Sequence, residues 1–262
     1  MRNYRHQGSL SVFAARVSAG VVMLSAGITL AACETVGTNP DAPGAAGALA
    51  RLKPLVESCE GPINGYGGLD ISASAVGDED LLADRLAEIE GMVNQVAACG
   101  GYVKIVAFAS SVTDTVTVGE QTFPTEFGTE NARLIEADKG VQALIGEVEQ
   151  NIAGAIDQAA PGGTDVLAQL ELARQFQAQR GDGTLYVQLA TDGIATTKPV
   201  RMSTPDFTLD VAGQAAETVP VPDLTGAMVR IAGIGEFKPS PFKFNGHKPG
   251  VKPADHLLKN RQ

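Results

Sequence analysis

The stretch GGLDISASAVGDED, residues 67–80, sets Asp70, Ser72 and Ser74 at alternate positions where a short apolar run stops. Residues spaced by two share a direction in extended backbone, so two hydroxyls and a carboxylate can face one way. Two other segments bring the same oxygen chemistry: Gly163-Thr164-Asp165 ahead of a helical pattern, and Thr191-Asp192-Gly193 behind an apolar run. Such groups either cap helices, accepting from the free N–H groups of a first turn, or face a hard cation, which takes oxygen ligands. Taken singly, each segment fits a cap. Their order along the chain is what joins them.

Other chemistries lack their residues. The histidines are His6, His247 and His256, all near the chain ends, which argues against a Ser-His-Asp triad or a His-based zinc site. GGLDISAS has neither GxGxxG spacing nor the lysine of a P-loop. A metal-assisted phosphoryl transferase or hydrolase would need a nucleophile and a base, and the sequence identifies neither. The reading is a binding protein, not an enzyme.

The elements that must position these donors alternate in type. AAGALARLKPLVESC (45–59) reads as a lead-in helix disturbed at Pro54, and YGGLDIS (66–72) as a weak, glycine-diluted strand. Residues 78–99 carry a helical apolar stripe with acids in the first turn, and YVKIVAFAS (102–110) is a buried strand. VTDTVTVGEQTF (112–123) alternates and then turns at Gly119, as an edge hairpin does. A helical period follows over 130–160, with a break expected near Gly140, and another helix over 163–179 with Thr164 or Asp165 as its cap. TLYVQLATDG (184–193) and GAMVRIAGIGE (226–236) complete the set as strands. Strand–helix alternation with near-continuous apolar strands predicts an α/β fold: a doubly wound, mostly parallel central sheet with helices on both faces and one antiparallel edge strand. In such sheets ligands sit outside the carboxyl ends of the strands, where the three polar segments fall.

In this order and context, DxSxS, then a threonine, then an aspartate before glycine, the chain resembles the von Willebrand factor A (VWA) domain family and its metal-ion-dependent adhesion site. VKIVAFASS, GGTDVLAQL, LATDG and VRIAGIGE are similar to that family's second strand, threonine loop, fourth strand and fifth strand, so the resemblance spans roughly residues 64–236. It implies that Ser72, Ser74 and Thr164 bind a divalent cation directly and that Asp70 and Asp192 act through water. Mg²⁺ is the first expectation, with Mn²⁺ or Ca²⁺ as alternatives. Neutral hydroxyls leave such an ion's charge poorly compensated, so the implied partner is a protein ligand offering an acidic side chain.

The N-terminus has the grammar of export. Arg2, Arg5 and Arg16 precede an apolar run that ends at Leu30-Ala31-Ala32-Cys33, a basic region, an apolar region and a small-residue cleavage site. The last four residues resemble the lipobox of bacterial lipoproteins, which implies lipidation of Cys33 and anchoring to a lipid bilayer; an ordinary signal peptide is the alternative. The expected organisation is a signal peptide over 1–32, a tether rich in Gly, Pro and Ala over 33–44, one domain over 45–236, and a basic, proline-rich tail over 237–262. Cys59 and Cys99 then remain as an even pair in an oxidising compartment, fitting a disulfide first and two buried thiols second.

Charge is divided sharply. The chain carries a net −10, yet residues 34–236 hold 11 Lys and Arg against 29 Asp and Glu, while the tail holds six bases and one acid. Such a body repels nucleic acid and favours divalent cations or basic partners. Arg180-Gly181-Asp182 spells an integrin-recognised tripeptide, but it sits where turn residues are expected before a strand. The combined expectation is a bacterial cell-envelope lipoprotein, its domain facing the periplasm or exterior and binding a protein ligand through a cation. The competing reading is a structural envelope component whose metal site only stabilises the fold.

Overall fold

Ile63–Asp70 (β1) is buried along its whole length although three of its eight residues are glycine. The computed structural model describes residues 44–72, 79–159, 163–204 and 206–235. A Cβ at Gly65 would meet Val96 Cγ2 at 2.9 Å, and one at Gly68 would meet Leu189 Cδ2 at 2.6 Å. The glycines therefore admit close neighbours on both faces of the central strand. What reads as a weak strand is the one buried at every position.

Around β1 the elements are helix α1 (Ala45–Val56), helix α2 (Glu79–Cys99), strand β2 (Gly101–Phe108), strand β3 (Val116–Phe123) and helix α3 (Glu130–Gln158). Helix α4 (Val166–Arg180), strand β4 (Thr184–Ala190), helix α5 (Leu209–Thr218) and strand β5 (Met228–Ala232) follow. The sheet order is β3-β2-β1-β4-β5. All pairings are parallel except β2 with β3, which is antiparallel. The doubly wound, mostly parallel sheet with one antiparallel edge strand is the architecture expected from sequence.

Two apolar clusters sandwich the sheet. One joins Leu52 of α1, Ile89, Met92 and Val96 of α2, and Leu134, Val141 and Leu144 of α3 to Ile63, Leu69, Val103 and Ile105. The other packs Leu170, Ala173 and Phe176 of α4 on Tyr66, Val106, Val187 and Leu189. Alternate residues of each strand feed opposite clusters, as the pleat requires. No described helix is long and apolar enough to cross a membrane.

Three local expectations are corrected. Gly119 does not turn a hairpin: Val116–Phe123 is a single strand antiparallel to β2, with a register shift at Ile105/Val106. Gly140 does not break the helix, which runs unbroken over Glu130–Gln158. Both glycines are contact points, since a Cβ at Gly119 would meet Leu144 Cδ1 at 2.8 Å and one at Gly140 would meet Phe123 Cε1 at 3.0 Å. Together they let α3 lie close on β3. Pro54 sits in the last turn of α1 and the helix continues through it to Val56.

Candidate functional site at the carboxyl edge of the sheet

β1 and β4 lie side by side in parallel, with Leu69 opposite Ala190. The next residues, Asp70 at the end of β1 and Thr191 just past β4, therefore sit side by side, and both are fully buried. Thr191 Oγ1 donates to Asp70 Oδ2 at 2.7 Å, and the Ser72 backbone N–H donates to Asp70 Oδ1 at 2.9 Å. The second bond is an Asx turn, which bends the chain at the strand end and fixes the carboxylate plane.

Thr164 reaches the same place from the opposite side. Its hydroxyl donates to Asp70 Oδ2 at 3.4 Å, across 94 residues of sequence. The two capping candidates at this helix separate cleanly. Asp165 is the cap of α4, its carboxylate accepting from the Ala168 N–H at 3.0 Å. Thr164 is left to face Asp70. Its backbone is clamped by Thr196, whose Oγ1 accepts from the Thr164 N–H at 2.8 Å. A Cβ at Gly163 would meet Ser110 Cβ at 2.7 Å, so glycine is what lets this loop approach the end of β2.

Asp192 completes the group. Its Oδ1 accepts from the Ile194 N–H at 2.9 Å, and its carbonyl accepts from the Gly235 N–H at 2.9 Å. Gly193, with φ +74°, supplies the left-handed turn that this local bonding needs. Asp70, Ser72, Thr164 and Asp192 are all buried.

The electrostatics are unbalanced. Burial pushes the Asp70 carboxyl above its ordinary range, and Asp192 nearby pushes the same way. The bonds from Ser72 and Thr191, and the Arg85 guanidinium, oppose that shift. Arg85 is itself buried, and its Nη1 donates to the Asp70 carbonyl at 2.9 Å. Two carboxylates held this deep favour a compensating positive charge. No three His, Cys, Asp or Glu side chains gather into a metal-holding group among the described residues. The donors here are hydroxyls with two carboxylates, a set suited to a hard, water-retaining cation rather than to a transition metal.

Asp70, Ser72, Thr164 and Asp192 are thus brought to one edge, while Ser74 and Cys33 lie outside the described residues. The residues directly before α2 lie outside the described residues. Cys59 and Cys99 are joined as a disulfide with Cα atoms 5.3 Å apart, at the amino-terminal edge of the parallel strands and so opposite the polar group. Two residues that sequence reasoning did not assign matter here, Thr191 and Arg85. Thr191 was legible in principle, because in a buried β4 the residue before Asp192 must sit beside the end of β1. Arg85 carried no signal, since a lone arginine in an acidic helix reads as a solvated side chain.

The mostly parallel sheet, with hydroxyls and carboxylates converging at its carboxyl edge, is the α/β arrangement that the resemblance to the VWA family implies. Among solved structures, the chain is similar to the vWF domain of the type V pili tip protein Mfa5 from Porphyromonas gingivalis, with 18% identity and a TM-score of 0.30 over 57% of this chain and 43% of that one. It is also similar to the conserved hypothetical protein BatB from Bacteroides thetaiotaomicron, with 17% identity and a TM-score of 0.35 over 64% of this chain and 65% of that one. A third is an aerotolerance-related membrane protein from Bacteroides fragilis, with 16% identity and a TM-score of 0.36 over 72% and 77%. The chain spans less than half the length of the Mfa5 domain. No family model and no curated protein matches the sequence.

Proposed function

We propose that this is a bacterial envelope lipoprotein whose VWA-like domain binds a protein ligand through a divalent cation held by Ser72, Ser74 and Thr164, with Asp70 and Asp192 acting through water. The observation that carries the reading is the convergence of Asp70, Ser72, Thr164 and Asp192, from three separate segments, at one edge of the sheet. A bound Mg²⁺, or Mn²⁺ or Ca²⁺ in its place, supplies a Lewis-acidic charge open to an anionic oxygen. The chain's own residues keep that charge available. Ser72 and Thr164 offer neutral oxygens, and the two aspartates are oriented by the Thr191 hydroxyl and by the Ser72 and Ile194 N–H groups. An acidic side chain on the partner protein then completes the coordination. Binding, rather than catalysis, is the activity.

The N-terminal half of the proposal rests on Cys33. Lipid on that thiol and on the new N-terminus would hold the domain at a bilayer, because two or more acyl chains anchor stably where one is marginal. Cross-linking in the native envelope, with and without a chelator, tests the whole reading. The expected result is one partner adduct that chelator removes and Thr164→Ala abolishes, with the protein released from membranes by Cys33→Ser. An adduct indifferent to chelator and to Thr164→Ala would overturn cation-mediated binding. A cation that raises Tm with no adduct at all would favour the structural role instead.

A further inference from the structure

Two arginines are buried among the described residues, Arg85 at 2% exposure and Arg133 at 9%. Arg133 is accounted for. Its Nη atoms donate to the Ala97 and Ala98 carbonyls in the last turn of α2, where a helix's negative pole favours a cation. Arg85 has one acceptor, the Asp70 carbonyl, which its Nη1 reaches at 2.9 Å. Its Nε and Nη2 have no hydrogen-bond partner, and it forms no ion pair among the described residues. A guanidinium buried in this way is costly unless opposite charge stands close by.

The opposite charge is the candidate site. Arg85 is bonded to the very residue whose carboxylate accepts from Thr164 and Thr191, and its charge favours the ionised form of that carboxyl. Asp192, buried and close enough to act on Asp70, supplies a second negative charge. Two carboxylates and one guanidinium sum to a formal −1, and a divalent cation turns that into +1. Without Arg85, the cation alone would bring the group to zero.

We infer that Arg85 is a resident counter-charge of this site, one that weakens its hold on a free divalent cation and leaves the loaded site a positive charge for a carboxylate to neutralise. The inference rests on the cation-binding reading given above. Like charges repel most strongly where water is scarce, and Arg85 is locked in place by burial and by its bond to Asp70. A cation entering beside Asp70 and Asp192 therefore meets a positive charge that cannot move away. The partner's acidic side chain then brings the assembly to neutrality, whereas without Arg85 the same carboxylate would overshoot to −1. Cation and carboxylate are thus coupled. Each binds weakly alone and more tightly with the other, by the same factor in both directions.

Calorimetric titration of the full chain with Mg²⁺ tests this. Arg85→Gln keeps a donor for the Asp70 carbonyl and drops the charge, Arg85→Met drops both, and Arg85→Lys keeps the charge. The Gln and Met variants should bind Mg²⁺ at least tenfold more tightly than the native chain, with Lys close to native. Their metal-free Tm should nevertheless fall, because two buried carboxylates lose their counter-charge. Structural damage alone would lower Tm and weaken binding together, so the opposed directions are the signature. Unchanged or weaker Mg²⁺ binding in both Gln and Met, beside a native chain that binds, would overturn the inference and leave the cation reading standing. No Mg²⁺ binding by any of the four proteins would remove the cation reading, and this inference with it. Sodium acetate in place of sodium chloride, at matched free Mg²⁺, supplies a carboxylate probe. It should tighten Mg²⁺ binding at least twofold in the native chain and less in Arg85→Gln, and an equal effect in both would overturn the coupling.

Discussion

The Thr191 hydroxyl donates to Asp70 Oδ2 at 2.7 Å, tying together the ends of two neighbouring parallel strands that are 121 residues apart in sequence. The same Asp70 oxygen accepts from Thr164, so one carboxylate organises both other segments of the site. A cation that binds only the folded chain stabilises it by about 1.4 kcal/mol at ten times its Kd. For a domain of this size, Tm should rise by about 3–6 °C. Thr191→Val removes the bond but keeps the shape, and should weaken Mg²⁺ binding about 10- to 100-fold, as lost orienting partners do. Thr191→Ser should restore it. Asp70→Asn should abolish the Mg²⁺ response while raising the metal-free Tm, because it removes a buried charge beside Asp192. Calorimetric scans with Mg²⁺ and with chelator read all three variants.

Much of this arrangement was legible because it follows from periodicity and order. Apolar runs at 102–110 and 184–193 are buried strands, and polar residues closing such strands collect at one sheet edge. What escaped was set by contacts between distant segments. Gly119 and Gly140 read as a turn and a break, yet each is glycine because α3 lies against β3. Helix α5 was not anticipated, and none of its side chains is buried. Arg85 escaped as well. Its burial under Asp70 depends on where the end of β1 falls, which a helical pattern alone does not report.

Close packing at β1 makes a sharp prediction. A Cβ at Gly68 would lie 2.6 Å from Leu189 Cδ2 and 3.1 Å from Phe108 Cε1, both in the middle of the sheet. Leu189 and Phe108 are fully buried. Gly68→Ala should therefore cost about 1–3 kcal/mol through overpacking, seen as a lower urea midpoint with an unchanged m-value. Gly91→Ala is the control. No neighbour lies within 4 Å of its Cβ, and a helix gains roughly 1 kcal/mol on exchanging glycine for alanine.

The Cys59–Cys99 bond fastens the end of α1 to the end of α2 across a separation of 40 residues. Closing a loop of that size stabilises by roughly 4 kcal/mol in the chain-entropy account. Cys59→Ser/Cys99→Ser should then lower Tm by about 10 °C. Limited proteolysis should cut first in residues 57–62, because α1 and the turn after it are then held by apolar contacts, the Arg51–Asp138 ion pair and the bonds from Gln95 to the Leu55 carbonyl and the Ser58 hydroxyl. A double variant with native Tm would mean that packing alone seats α1. Non-reducing peptide mapping of the purified protein gives the direct check.

Tyr102 reports on the opposite side of the fold from the disulfide helices. Its ring stacks on Phe176 with centroids 5.9 Å apart, the Arg180 guanidinium lies 4.0 Å over the ring centroid, and its hydroxyl donates to Glu120 at 2.5 Å. Burial first, then the bond to Glu120 and that residue's charge, push the phenol up to about 12 from an ordinary value near 10. Arg180 opposes the shift. The raised value means that the folded chain holds the proton more tightly than the unfolded one. The associated stability is complete below pH 10, declines as pH rises, and is gone once pH passes about 12. Absorbance titration at 295 nm should show a phenolate step near pH 12 that Tyr102→Phe deletes, and Glu120→Gln should move that step toward 10. If the step that Tyr102→Phe deletes lies near pH 10 and Glu120→Gln does not move it, the Tyr102–Glu120 bond is not formed in solution.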